Sequence, residues 1–466
     1  MSTPNPTERR IGDTPKGGSV LGFYAPRGTP RPPRIARGEG VFLWDSEGRR
    51  YLDATAGAVV ANIGHGNPHV LAAMAEQAGR VTFAYPRFFE SEHSIALADR
   101  VCAMAGEGFD RAFFVSGGSE ANESALKLAR QYAVVSGQPQ RAKVISREPS
   151  YHGATLGALA VTGDAHTLGI YGPMVREMPK VPAPQSYRLP EGHTAESHAL
   201  ACADALEDCI VREGPDSVLA FILEPVGGLS SGAVVSPAAY YRRVREICDR
   251  HGVLLIYDEI MSGAGRTGAF LAAHHFADAR PDIVTLAKGL AAGYTPLGAM
   301  LVPNRIVDAI ADAGGFVHGH TYFTNPLSCA VANAVLDEVV RQDLAAQSRL
   351  RGEQLMARLQ AIAGRSPIVG DVRGKGLLTA IEIVADKETK RQLPAAFNAP
   401  ARLTQHGLQR GIALYNRRAN LGAYGDMQLI TPPLTITEAE VDLLAELLEA
   451  SLRDLAQEIA RIKPTT

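Results

Sequence analysis

The stretch Val253-Leu254-Leu255-Ile256-Tyr257-Asp258-Glu259 runs an unbroken apolar series into two carboxylates. Short continuous apolar runs read as strands buried on both faces, as in a parallel sheet covered by helices above and below. An acid at the end of such a strand is costly to bury without a partner. In open α/β sheets ligands bind beyond the carboxyl ends of the strands, so Asp258 stands where chemistry is expected. A second stretch, Ile283-Val284-Thr285-Leu286-Ala287-Lys288-Gly289, repeats the pattern and ends on a lysine followed by glycine. The separation, 288 − 258 = 30 residues, is the length of one βαβ-like repeat, which lets Asp258 and Lys288 emerge at the same sheet edge. A lysine held there is poorly solvated, which lowers its pKa and makes its amine a usable nucleophile. Loop capping by Asp258 and a purely structural Lys288 are the plainer alternatives.

Outward from these two strands the grammar persists. Further strands are read at 112–115, 143–145, 218–223 and 298–302, with helices at 120–136 and 237–251 between them. Strands alternating with helices imply right-handed crossovers and a mainly parallel central sheet, an α/β fold. Beyond residue 325 the pattern changes to long helical runs (325–342, 345–363), a strand at 377–383, a helix at 399–410, two short strands and a helix at 437–462, an α+β region. Residues 1–34 are Pro/Gly-rich and polar and read as a loose arm, whereas 40–53 read as a hairpin around a Ser-Glu-Gly turn. The expected division is an N-terminal arm and hairpin (1–64) joining the small domain, a large domain (65–325) and a C-terminal small α+β domain (326–466).

Two more motifs sit at the ends of predicted strands. Ser116-Gly117-Gly118-Ser119-Glu120-Ala121-Asn122 opens a helix. Its glycines let backbone approach a ligand, Ser119 can cap the helix, and the exposed N–H groups form an anion site. A Gly-rich turn with an ordinary cap is the alternative, and the pattern is neither GxGxxG nor a P-loop. Tyr151-His152-Gly153 can lay a ring over a planar ligand, or be no more than an exposed loop aromatic. Anion cradle, aromatic plate, acid and lysine together describe what pyridoxal 5′-phosphate (PLP) needs: a phosphate site, a ring surface, a carboxylate for the ring nitrogen and an amine for the aldehyde.

Composition excludes other classes. With 466 residues, 46% hydrophobic and 21% charged, the chain is globular and large enough for several domains. Lys+Arg 47 against Asp+Glu 49 leaves a net charge of −2, so no basic field is present to hold nucleic acid or an anionic membrane, and a small-molecule partner is expected. Five cysteines without CxxC spacing argue against a disulfide framework and a thiolate zinc site. With no apolar leader and no run long enough to span a bilayer, the expectation is a soluble, cytoplasmic protein. His318-Gly319-His320 has a ligand-like spacing but no accompanying acid or thiol, so no metal is expected.

From residue 38 to the C-terminus the sequence resembles the class III PLP-dependent aminotransferases of fold type I, the aspartate-aminotransferase-like fold, and within them the ω-aminotransferases and amine–pyruvate transaminases. The resemblance is carried by residues 40–53, 116–122, Tyr151-His152-Gly153, Glu224-Pro225-Val226, Asp258-Glu259 with Gly265-Arg266-Thr267-Gly268, Ala287-Lys288-Gly289, 319–326 and Val372-Arg373-Gly374-Lys375-Gly376-Leu377. It implies Lys288 as the cofactor-bearing lysine and Asp258 as partner of the ring nitrogen. It places Gly118 and Ser119 at the phosphate, Tyr151 and Ile260 on the two ring faces, and Glu224 among the cofactor residues. It also implies that Thr321 reaches the phosphate of a neighbouring subunit, hence a homodimer with shared sites, or a tetramer built from it. Where ornithine and 4-aminobutyrate enzymes carry a second glutamate, this chain has Leu229, which disfavours their glutamate–arginine gate and suits an apolar substrate part. Arg417, then Arg418, are the candidates for pairing a substrate carboxylate. Phe23, Val59, Phe88 and Phe89 fall in segments that line ω-aminotransferase substrate pockets, with core packing as the alternative for the last two. The expected activity is ping-pong transfer of an amino group from an amine or ω-amino acid to an oxo acid, with pyruvate preferred. An aminomutase, racemase or decarboxylase, or a non-catalytic scaffold, remain the rivals.

Overall fold

The apolar runs pair as one seven-stranded sheet in the order Arg111–Val115, Gly298–Val302, Ile283–Leu286, Leu254–Asp258, Val218–Leu223, Lys143–Glu148, Lys180–Pro182. The fold is that of a computed structural model, which describes residues 31–461 apart from Leu229 and Arg417. Neighbouring strands are parallel except Gly298–Val302, which is antiparallel to both of its partners. The short strand Lys180–Pro182 is absent from the sequence reading, because three residues give periodicity nothing to work on.

Continuous apolarity follows from burial on two sides. Phe221, Leu223, Leu255 and Tyr257 pack with the helices Ala195–Glu213 and Ala238–His251, whereas Ala220, Ile222 and Ile256 face the helices Gly118–Val135 and Asn304–Asp312. Alternate residues of each strand thus feed two different cores, and neither face can accept a polar side chain cheaply.

Beyond Asn325, whose side chain accepts from the Ser328 N–H at 3.0 Å and caps the helix Pro326–Arg341, the chain forms helices Leu344–Arg365, Ala399–Arg410 and Glu438–Ala460. The last begins with a capping box between Thr437 and Glu440. These helices pack on a four-stranded sheet ordered Val369–Lys375, Leu378–Ile383, Asp426–Ile430, Tyr415–Asn416. A separate N-terminal sheet, Ile35–Glu39, Phe42–Asp45 and Arg50–Asp53, is completed by Ile412–Ala413, which pairs parallel with the last of them. The expected hairpin is therefore present, and residues 35–39 add a strand before it.

Arg266 locks these pieces together. Its fully buried guanidinium donates to the carbonyls of Leu377 and Pro432 and to Asn62 Oδ1 at 2.7 Å, while Asn62 Nδ2 donates back to the Ala264 carbonyl. Burial pulls Arg266 down to about 9, with the Asp53 charge opposing the fall. Asn62 also abuts Gly289, where an added Cβ would meet its Nδ2 at 2.1 Å, so the junction touches the residue after Lys288.

Candidate active site

Register brings the two polar strand ends together. Asp258 pairs with Thr285, three residues before Lys288, so both side chains leave the same edge of the sheet. Asp258 is 4% exposed, yet it is fully engaged: Oδ2 accepts from Asn122 Nδ2 at 2.8 Å and faces His152 Nδ1 at 2.9 Å, and Oδ1 accepts from the Ile260 N–H at 3.1 Å. Asn122 is itself oriented by Thr285 Oγ1, which donates to its Oδ1 at 2.8 Å. Two N–H donors and one imidazole nitrogen thus surround this buried carboxylate. Lys288 takes a left-handed φ of 47°, a conformation that costs a residue bearing a side chain about 1–3 kcal/mol and that clusters at functional positions.

The turn after Arg111–Val115 supplies the next wall. Here the helix begins at Gly118, earlier than expected, and Ser119 lies inside it rather than capping it. The Ser119 hydroxyl instead accepts from the Ala154 N–H at 3.0 Å, tying the Tyr151 loop to the helix start, and Glu120 accepts from the Ser116 N–H at 2.8 Å. Close approach explains two glycines. A Cβ on Gly118 would meet Ile260 at 2.8 Å, and one on Gly298 would meet the Gly117 carbonyl oxygen at 2.5 Å.

These walls enclose a cavity of about 1220 Å³ lined by Gly118, Ser119, Tyr151, Glu224, Asp258, Ile260 and Lys288 among others. Glu224 is buried; its Oε1 accepts from the Gly228 N–H at 3.0 Å. Burial pushes its carboxyl up, with His152 and Arg147 opposing. Next to Asp258, burial pushes Glu259 up to about 7 although Ser262 Oγ and the N–H groups of Ala272 and Ala273 all donate to it. Glu259 anchors the following loop and does not line the cavity. The outer wall is apolar: Leu156, Ile170, Tyr171 and Met174 line the cavity while remaining exposed.

The sequence-predicted substrate residues fare differently. Phe23, Leu229 and Arg417 lie outside the described residues. Val59, with a left-handed φ of 62°, is buried against Val226, Ala233 and Leu429, and Ala58 and Val60 line the cavity instead. Arg418 does not line the cavity: it donates to Asp426 Oδ1 at 2.8 Å and to the Ala395 carbonyl, and burial pushes the Asp426 carboxyl up with Arg418 opposing. Phe88 and Phe89 are 71% and 63% exposed, so neither joins the core nor lines this chain's cavity. Thr321 is likewise exposed and absent from the lining. His318 is engaged with Ser124 Oγ at 3.0 Å and packs on Phe113 and Phe316, with burial pulling it down to about 4. Among the described residues no group of three or more His, Cys, Asp or Glu could hold a metal ion, and no helix is long and apolar enough to cross a membrane.

Sequence reasoning missed the roles of Asn122 and His152, although both lie inside motifs it quoted, because their hydrogen bonds to Asp258 cross 136 and 106 residues of chain. Tyr415 and Asn416 of the C-terminal region line the cavity as well.

The residues present fit PLP. An amine, an engaged carboxylate, an aromatic ring and the N-terminus of an 18-residue helix face one cavity, and Glu224 Oε2 and His152 Nε2 are buried there without a hydrogen-bond partner. Comparison with known proteins agrees. The model of the family described as aminotransferase class-III matches residues 23–452. An uncharacterized aminotransferase, YodT of Bacillus subtilis, is 38% identical over 414 residues, 88% of this chain and 93% of that protein. The putrescine–pyruvate aminotransferase of Pseudomonas aeruginosa is 32% identical over 91% of each chain. Among solved structures, the amine transaminase of an uncultivated Pseudomonas species in its PLP-bound form superposes with a TM-score of 0.88 at 37% identity, covering 94% of this chain and 98% of that one. With the family match spanning nearly its whole length, the chain belongs to the class III aminotransferases, PLP-dependent enzymes of fold type I.

Proposed function

We propose that this aminotransferase moves an amino group from an amine or ω-amino acid to pyruvate by a ping-pong route. The observation that carries the reading is the single cavity in which Lys288 and Asp258 share an edge opposite an apolar wall of Leu156, Ile170, Tyr171 and Met174. Such a wall accepts an uncharged tail better than a second carboxylate. The Pseudomonas aeruginosa relative, named for putrescine and pyruvate, and the amine transaminase structure support an amine donor.

Bound PLP supplies a carbonyl that condenses with amines and a ring that accepts an electron pair. The chain's own residues do the rest. Lys288 Nζ would hold the cofactor through its amine and, when free, would serve as base and then acid for a proton at the substrate carbon. Asp258 would face the ring nitrogen and hold a proton there, and Asn122 and His152 keep Asp258 aimed. Gly118, Ser119 and the helix N-terminus would receive the phosphate, Tyr151 and Ile260 would hold the ring, and Arg417 would pair a substrate carboxylate when one is present.

A second copy of the chain completes the site. Phe83, Tyr85, Phe88, Phe89, Val317 and Tyr322 are exposed, with Phe83 and Tyr322 in edge contact at 5.9 Å and Tyr85 and Phe88 at 5.4 Å. Exposed aromatic pairs of this kind suit an interface, and Thr321 beside Tyr322 would then serve the partner's phosphate. Residues 65–325 are read as the cofactor-binding domain, with 1–64 and 326–466 forming the second. Five cysteines free of disulfides suit a cytoplasmic location.

The test is a panel of amines, β-alanine, 4-aminobutyrate and diamines offered to the yellow holoenzyme, followed by pyruvate or 2-oxoglutarate. The visible band bleaches with an amine and returns with pyruvate. A band that no donor bleaches, or one restored by 2-oxoglutarate alone, contradicts the reading.

A further inference from the structure

The apolar outer wall of the cavity rests on little packing of its own. His166, Thr167, Ile170 and Tyr171 line the cavity from the helix Ala165–Tyr171, and Tyr415 and Asn416 line it from the C-terminal region. That helix has 7 residues, and none of them is buried. Helices shorter than about 12 residues are marginal in water without tertiary contacts. The face offered to a substrate therefore needs an anchor outside the helix.

Asn420 supplies one. Its Oδ1 accepts from the His166 N–H at 2.9 Å, an amide of the first turn, which has no acceptor inside the helix. Its backbone N–H donates to Asp164 Oδ1 at 3.3 Å, the carboxylate oxygen that caps the helix by accepting from the Thr167 N–H at 3.4 Å. Its Nδ2 donates to Glu148 Oε1 at 3.0 Å, at the carboxyl end of the strand Lys143–Glu148, and the Tyr424 hydroxyl donates to the same oxygen at 3.0 Å. A single residue thus ties the helix start and the central sheet to the C-terminal region. The tie holds against backbone strain. Asn420 and Leu421 take left-handed φ values of 49° and 55°, which asparagine visits readily and leucine does not. Leu421 is 57% exposed, so burial does not keep it there. Asn420 itself does not line the cavity and acts only through the walls it joins.

We propose that Asn420 is a positioning residue for the donor's tail: by clipping the helix Ala165–Tyr171 to the segment after Tyr415-Asn416, it fixes the width of the apolar end of the cavity. The size of amine admitted is then set by a residue that touches no substrate. The inference rests on reading that wall as the seat of the donor's uncharged tail. Pyruvate is too short to need the wall, so its half-reaction serves as the internal control. With the clip gone, a tail that fills the cavity loses apolar contact, and a short amine loses little.

The experiment follows the two half-reactions of the holoenzyme separately by the visible band, in wild type and in Asn420→Gly. Glycine keeps the left-handed backbone without steric cost and removes the side-chain ties. Across n-alkylamines of increasing length, the concentration that half-saturates bleaching rises about tenfold for the longest tails, the scale of one methylene in an apolar pocket, while the limiting rate and the return with pyruvate change by less than about twofold. Hydrogen–deuterium exchange across residues 165–171 quickens about tenfold in the same variant, as a locally loosened element does. Asn420→Asp, which keeps the acceptor for the His166 N–H but sets a carboxylate against Glu148, moves both readouts in the same direction. Unchanged exchange across 165–171, or an equal loss for short amines, long amines and pyruvate, overturns the inference. A wild type whose band no alkylamine bleaches contradicts the donor reading alone: quickened exchange in Asn420→Gly still upholds the clip, and unchanged exchange still overturns it.

Discussion

Asp258 shows how a single residue is specified from several directions. Its carboxylate is reached by Asn122, His152 and the Ile260 N–H, and no one of these is near it in sequence except Ile260. Asparagine at this position keeps the volume but turns one acceptor into a donor facing Asn122 or His152. Asp258→Asn is expected to retain the fold and lose about 100-fold or more in turnover, an effect of the size general acid–base and electrostatic contributions carry, measured as the rate of donor-dependent bleaching. Its neighbour Glu259 carries a different signature. Burial raises this carboxyl from 4.5 to about 7, so between those values the folded chain holds a proton that the unfolded chain has released. Stability from this group is therefore complete below about pH 4.5 and falls as pH rises toward 7, by at most about 3 kcal/mol at 1.36 kcal/mol per unit. Thermal melts across that window will show the decline in wild type and a flatter profile in Glu259→Gln, whatever the variant's absolute stability.

At the scale of elements, the antiparallel strand Gly298–Val302 is the place where backbone geometry and the cofactor turn meet. Gly298 faces Val115 in register, and a Cβ there would stand 2.5 Å from the Gly117 carbonyl oxygen, a backbone atom that cannot swing aside. Gly298→Ala is expected to destabilise by about 1–3 kcal/mol, as overpacking does, and to weaken cofactor retention, read by dialysis of the holoenzyme. Elements of this kind were legible in sequence wherever burial on both faces wrote a continuous apolar run, as in Val218–Leu223, or where a side chain marked an end, as Asn325 and Thr437 do. Ala399–Arg410 coincides with its reading residue for residue. What stayed hidden has a physical reason in each case. Lys180–Pro182 is too short for a period, and the burial of Val59 and the pairing of Arg418 with Asp426 both depend on segments that are distant or buried only in the folded chain. The order of Asp258 and Lys288 on the sheet was legible because strand length and repeat length fix it. The hydrogen bonds behind Asp258 were not, because they join segments that only the folded sheet brings together.

Across the whole molecule, Arg266 and the N-terminal sheet explain why distant parts of the chain form one site. The guanidinium bridges the loop after Asp258, the segment around Asn62 and two C-terminal carbonyls, while Ile412–Ala413 pairs with Arg50–Asp53. Tyr415 and Asn416, close beyond that pairing, line the cavity as a result. A two-copy assembly extends the same logic outward. Tyr322→Asp places a charge in the exposed aromatic group and is expected to shift the protein toward monomer in light scattering and to weaken phosphate retention together, since Thr321 adjoins it; a monomeric wild type contradicts the assembly. The most direct measurement of the central claim is borohydride reduction of the holoenzyme followed by peptide mapping. The account predicts that the cofactor mass lies on Lys288, in the peptide following Ile283–Leu286. Attachment to a different lysine, or no attachment under conditions that saturate the protein with PLP, would contradict it.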